Sequence, residues 1–160
     1  MKRTVTELFA KLGAPLANKR WSWGAIRSVD RNIILRVWAD QIGPIRKKIP
    51  LYTGYPPNTL VCYIGCHDRN HGEDRLGWNE RKEHIELIKG GAGAWGVQCK
   101  AKIVKGEIND EPHQRRKIQS VDSNEIWKMG EVFLAEDPYG GGMDYWVTMT
   151  AKPSLKSATT

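Results

Sequence analysis

The chain has 160 residues, with 25 Lys plus Arg against 18 Asp plus Glu, a formal net charge of +7 and 40% hydrophobic residues. That length suits one domain able to bury a core without staples, and the basic excess favours polyanionic partners, nucleic acid foremost. No run of about 18 apolar residues is present, which excludes a membrane-spanning helix, and the three cysteines form no even framework, so a reducing, cytoplasmic setting is expected.

The N-terminal stretch Met1–Glu7 carries no apolar signal core, so no secretory leader is expected. Val5, Leu8, Phe9 and Leu12 recur at helical spacing. Thr4 and Glu7 fit a capping box and Gly13 a left-handed stop, which predicts a helix over 4–12. Trp21–Ile26 reads as a strand, Ser28–Asn32 as a turn and Ile33–Trp38 as a strong strand, together a hairpin. Gly43-Pro44 marks a turn before a basic loop, and Thr59–Gly65 reads as a third strand. Residues 66–77 are polar and read as an exposed loop. Asn79 fits the cap of a helix over 80–89, with Arg81, Ile85 and Ile88 on one face, ended by Gly90-Gly91-Ala92-Gly93.

Ala94–Val104 alternates cleanly. Trp95, Val97, Cys99, Ala101 and Ile103 point one way and Gln98, Lys100 and Lys102 the other, a half-buried strand with a basic face. A polar loop over 106–114 and a short strand around Lys117–Gln119 follow. Asp122 and Glu125 fit a capping box for a short helix stopping at Gly130. Glu131–Ala135 and Asp144–Thr150 are the closing strands, joined by a glycine-rich turn. The expected class is α+β: a mostly antiparallel curled sheet or small barrel with two or three short helices. One globular domain spans 1–151, and 152–160 form a flexible tail.

Seven tryptophans stand out, and most are expected in the core or at its rim, because a buried indole N–H needs a partner. The densest aromatic and basic patch is Asn18-Lys19-Arg20-Trp21-Ser22-Trp23. On one extended strand Trp21 and Trp23 share a face and could wall a slot for a planar base, with Asn18 and Ser22 supplying polar readout. Lys19, Arg20, Arg46, Lys47, Lys48, Lys100 and Lys102 would then hold phosphates. The expected partner is DNA or RNA, with no cofactor. The opposing expectation makes Trp21 and Trp23 core anchors of the first strand.

Other chemistries are weaker. Cys62, Cys66, His67 and His71 form a Cys-x3-Cys-His-x3-His run of zinc-type ligands. Cys62, however, falls in a strand pattern, and the Cys66-His67 adjacency departs from structural zinc loops, so no metal is assigned. Cys66 with His67 or His84 could pair as thiolate and imidazole, but nothing supplies an oxyanion hole, and no catalytic residue is assigned. Asp68, Glu73 and Asp74 would serve a metal-dependent nuclease built on the 66–74 loop. Asp110, Glu111, His113 and Lys117 form a second charged cluster, read as solvated. A protein-interaction module using Trp and Arg anchors is the third class. The glycine run at 90–93 follows a helix, the reverse of a phosphate-binding loop.

Four features resemble the PUA-like group of small curled-barrel domains, which includes the EVE, ASCH and SRA-type modules. They are the short N-terminal helix, the Trp-rich first strand, the helix–glycine–strand unit over Glu80–Val104, and the closing strand with Tyr145-Trp146. The resemblance implies a pocket for a modified or extruded base and a DNA-reading role in restriction or phage defence. No residue of any one subfamily's pocket can be matched by position.

Overall fold

The computed structural model describes residues 4–18, 22–67, 75–102, 117–137 and 142–158. The Thr4 hydroxyl accepts the Glu7 N–H at 3.2 Å, opening α1 (Val5–Lys11), and Gly13 takes φ +75° after it. The Thr4 cap and the glycine stop therefore form as the sequence predicts, while the Glu7 carboxylate takes the Thr4 hydroxyl at 3.0 Å where a full capping box takes the Thr4 N–H. The remaining elements follow in order: β1 (Gly24–Ile26), β2 (Ile33–Trp38), a 3-10 turn (Ala39–Gln41), β3 (Ile42–Pro44), α2 (Ile45–Lys48), β4 (Leu60–Cys66), α3 (Arg75–Lys89), β5 (Ala94–Ala101), β6 (Ile118–Val121), β7 (Trp127–Glu136), β8 (Met143–Ala151) and α4 (Leu155–Ala158).

Among the described residues, all the strands join one sheet in the order β1-β2-β5-β7-β8-β4-β3, with β6 pairing β5 off that path. Every pairing is antiparallel except β2 with β5, which are linked through the intervening β3, β4 and α3. Strand alternation sorts side chains to two faces. Ile33, Leu35 and Val37 of β2, Cys62 and Ile64 of β4, and Tyr145, Val147 and Met149 of β8 line the inner face with Trp78, Ile85 and Ile88 of α3. On the outer face Ile34, Val97 and Cys99 pack under Leu8, Phe9 and Leu12 of α1. A third cluster joins Ile45 and Ile49 to Val61, Ala135 and Trp146.

The sheet curls without closing. β2 and β4, each second from an end of the strand order, line the same core but share no ladder. Helix α3 lies between them. Its buried residues Trp78, Arg81, His84, Ile85 and Ile88 fall at helical spacing, so a cation is carried into the core on the apolar stripe.

Several expectations are corrected. The first strand begins at Gly24, because the backbone of Ser22 and Trp23 is taken by other partners (below). Helix α3 starts at Arg75 instead of near Asn79. The basic loop after Pro44 contains α2. The Asp122 carboxylate does accept the N–H groups of Asn124 (2.9 Å) and Glu125 (3.1 Å), but no helix follows. From Trp127 the chain is captured by β5 and then β8, and ladder pairing wins over the local cap. In the tail, Leu155 is buried in the outer cluster and its N–H donates to Asn124 O at 2.7 Å, which docks α4. Among the described residues, no helix is long and apolar enough to cross a membrane.

Candidate nucleic-acid interface

Two consecutive residues of α3, Glu80 and Arg81, shape the segment that enters β1. In an antiparallel ladder Trp23 and Arg36 would exchange two hydrogen bonds. One of these is Arg36 N–H donating to Trp23 O at 2.8 Å. The Trp23 N–H turns instead to the Glu80 carboxylate at 3.3 Å, and the Ser22 hydroxyl donates to the same carboxylate at 3.1 Å. The vacated Arg36 carbonyl is taken by Arg81 Nη2 at 2.7 Å, and that nitrogen also reaches Trp23 O at 3.0 Å. Arg81 Nη1 donates to Ile64 O at 2.8 Å, at the residue the β4–β8 register skips. One guanidinium thus ties β2 to β4 across the open side of the sheet. Burial pulls its pKa down to about 10, helped by the neighbouring Arg36 charge.

Trp23 is half-buried. The Arg81 guanidinium carbon lies 5.6 Å from its ring centroid, and the Trp78 ring lies at 6.5 Å with a 44° tilt. Trp78 continues to Tyr145 at 6.5 Å, and Tyr145 meets His67 edge-on at 5.5 Å. Ser22 is buried, and its oxygen accepts the Asn18 N–H at 2.9 Å while its proton goes to Glu80. The hydroxyl therefore ties Ser22 to Asn18, a pair also joined by Ser22 N–H to Asn18 O at 2.9 Å. Lys19, Arg20 and Trp21 lie outside the described residues.

The other cations gather near the same end of the sheet. Trp23 lies beside Arg36, and β2 runs on to the Trp38–Cys99 pair. One residue further along β5 is Lys100, then Lys102, both exposed, with Lys102 N–H bonded to the carbonyl of exposed Lys117 at 2.8 Å. The 3-10 turn that follows Trp38 packs on β5. Lys48 of α2 donates to the Asp40 carbonyl in that turn, and Arg46 and Lys47 stand exposed beside it. The four residues of α2 hold three cations and no acid.

The zinc-type run does not assemble among the described residues, where no group of three His, Cys, Asp or Glu could hold a metal ion. Cys62 belongs to the inner core, and burial pushes its thiol up to about 12. Cys66, also buried, instead bonds the Tyr63 phenol, while Tyr63 packs with the third cluster. His84 sits beside Gly24, with its pKa brought down to about 4 by burial and then by the Arg81 charge. His71, the 66–74 carboxylates Asp68, Glu73 and Asp74, and the Asp110, Glu111 and His113 cluster lie outside the described residues.

Arg81 and Glu80 are the residues that sequence reasoning missed. The spacing puts Arg81 on one face with Ile85 and Ile88, but an arginine on an apolar stripe does not reveal the three carbonyls that it reaches. Nothing local marks Glu80 as the partner of a segment 57 residues away. No protein-family model, curated protein or solved structure matches the chain.

Proposed function

We propose that the protein binds nucleic acid, stacking a flipped, modified or single-stranded base on the indoles of the Trp21–Trp23 segment. Lys100, Lys102, Arg46 and Lys47, with Lys19 and Arg20, hold the phosphates. One set of observations supports this reading: half-buried Trp23 sits beside Arg36 of β2, exposed Lys100 and Lys102 lie at and just past the end of the neighbouring β5, and α2, with three cations in four residues, reaches the 3-10 turn on β5 through Lys48. Ring faces beside cations suit single strands and extruded bases, since stacking tolerates any base and charge tracks the backbone. Ser22 is committed inside the fold, so polar readout falls to other groups. The PUA-like resemblance adds restriction or phage defence as the setting of such an activity.

The test is a tryptophan-fluorescence titration with single-stranded and duplex oligonucleotides at low salt. Binding that weakens steeply with salt is expected, because neutralised phosphates release counterions. Trp21→Ala should lose about 1–3 kcal/mol of binding. A wild-type protein that binds neither oligonucleotide refutes the proposal.

A further inference from the structure

Outside that site, a second aromatic surface packs on the cluster that holds Ile45 of α2. Tyr52, Tyr55 and Phe133 are each half-buried and mutually packed: Tyr52 to Tyr55 at 6.1 Å with a 24° interplanar angle, and each to Phe133 at 4.9 and 5.0 Å. Leu51 next to them is 94% exposed, the most exposed large apolar side chain among the described residues. The 50–59 loop that carries both tyrosines is closed onto α2 at both ends. Tyr52 N–H donates to Ile49 O at 3.0 Å, while Ile45 and Arg46 N–H donate to Thr59 O (2.8 Å) and Pro57 O (3.2 Å). The Tyr55 phenol is fixed by donation to Glu131 at 2.7 Å. These rings are held in place before any ligand arrives.

Helix α2 links the two surfaces. Ile45 and Ile49 pack into the cluster with Tyr52, Tyr55 and Phe133, Lys48 reaches the 3-10 turn, and Arg46 and Lys47 of the same helix are exposed. Rigid rings with an exposed apolar neighbour, beside a helix of three cations and with the Glu131 carboxylate at the rings engaged by the Tyr55 phenol, are complementary to an anionic chain carrying planar groups. We infer that the Leu51–Tyr52–Tyr55–Phe133 surface is a second stacking platform, and that the ligand is a single strand which crosses α2 and leaves unpaired bases on these rings. The inference rests on the nucleic-acid reading above, and it names the substrate as single-stranded.

Tyr52→Leu and Tyr55→Leu keep apolar volume and remove the π face. Leu51→Glu changes a solvent-exposed side chain and spares the fold. Single-strand affinity, read by fluorescence anisotropy of a labelled oligonucleotide, should fall about 5- to 150-fold in each tyrosine variant. It should also fall in Leu51→Glu, while duplex affinity stays unchanged. Arg46→Ala with Lys47→Ala should lower the salt slope by about 2. If wild type binds single strands and Trp21→Ala weakens them but these three variants do not, the platform is overturned and the first reading stands. If the surface takes only a peptide, the platform alone falls; if wild type binds no oligonucleotide, both fall.

Discussion

Replacing Arg81 by Met tests the account of how the open sheet is held. The guanidinium makes three hydrogen bonds to carbonyls, at 2.7, 2.8 and 3.0 Å. Three charge-assisted bonds at about 1.5–3 kcal/mol each would total roughly 5–9 kcal/mol. Two facts reduce that. The buried cation has its own desolvation cost, which the substitution removes, and Trp23 O keeps the Arg36 N–H at 2.8 Å. What truncation exposes is the Arg36 and Ile64 carbonyls, at about 1–3 kcal/mol for each bare buried acceptor. The expected loss is therefore about 2–5 kcal/mol. Arg81→Lys keeps the charge but not the planar fork that spans three acceptors, and should lose less, about 1–2 kcal/mol. Urea unfolding followed by tryptophan emission gives both values from the midpoints. An Arg81→Met midpoint within about 0.5 kcal/mol of wild type, at unchanged slope, would show that the clamp does not hold the sheet.

Further outcomes follow from neighbouring residues. His84 is neutral in the fold, its pKa near 4 through burial and the Arg81 charge, against an ordinary 6.5. The unfolded chain therefore binds the extra proton between those values. Stability falls as pH drops through that window, by up to about 3 kcal/mol. His84→Gln should flatten the difference between urea midpoints at neutral and acid pH, and an unaltered difference would clear His84 of the effect. A Cβ at Gly65 would overlap the Trp78 ring, so Gly65→Ala should destabilise by about 1–3 kcal/mol, read by thermal melting. The Tyr55 phenol is raised to about 12 by burial and by its hydrogen bond to Glu131. Its folded state thus holds a proton the unfolded chain releases, and this support is lost as pH climbs from about 10 through 12. Burial also raises the Tyr63 phenol, so absorbance titration should show late phenols of which the Tyr55 one alone ionises earlier in Glu131→Gln, and no change in that variant would deny the hydrogen bond its part.

Elements fixed by local chemistry were legible in the chain. Thr4, Glu7 and Gly13 bound α1, and the alternation of Trp95, Val97 and Cys99 marks the outer face of β5. Elements decided by distant partners were not. Trp21 to Ile26 reads as one strand, yet β1 keeps only Gly24–Ile26, because Glu80 and Arg81 take the polar groups of Ser22 and Trp23. Asp122 makes its cap, yet the chain beyond it becomes β7 through non-local pairing. Of the site residues, Lys100 and Lys102 were readable as one exposed face. The nearness of α2 to that face depends on Lys48 reaching Asp40, which no spacing reveals. The ring cluster of Tyr52, Tyr55 and Phe133 joins residues about 80 apart in the chain and has no local signature.

The salt dependence of oligonucleotide affinity, compared between wild type and the Lys100→Ala, Lys102→Ala double variant, bears most directly on the claim that these cations serve a polyanion. Affinity should fall linearly on a log–log plot, with a slope smaller by about 2 in the variant. Identical slopes, or no affinity to measure at low salt, would contradict it.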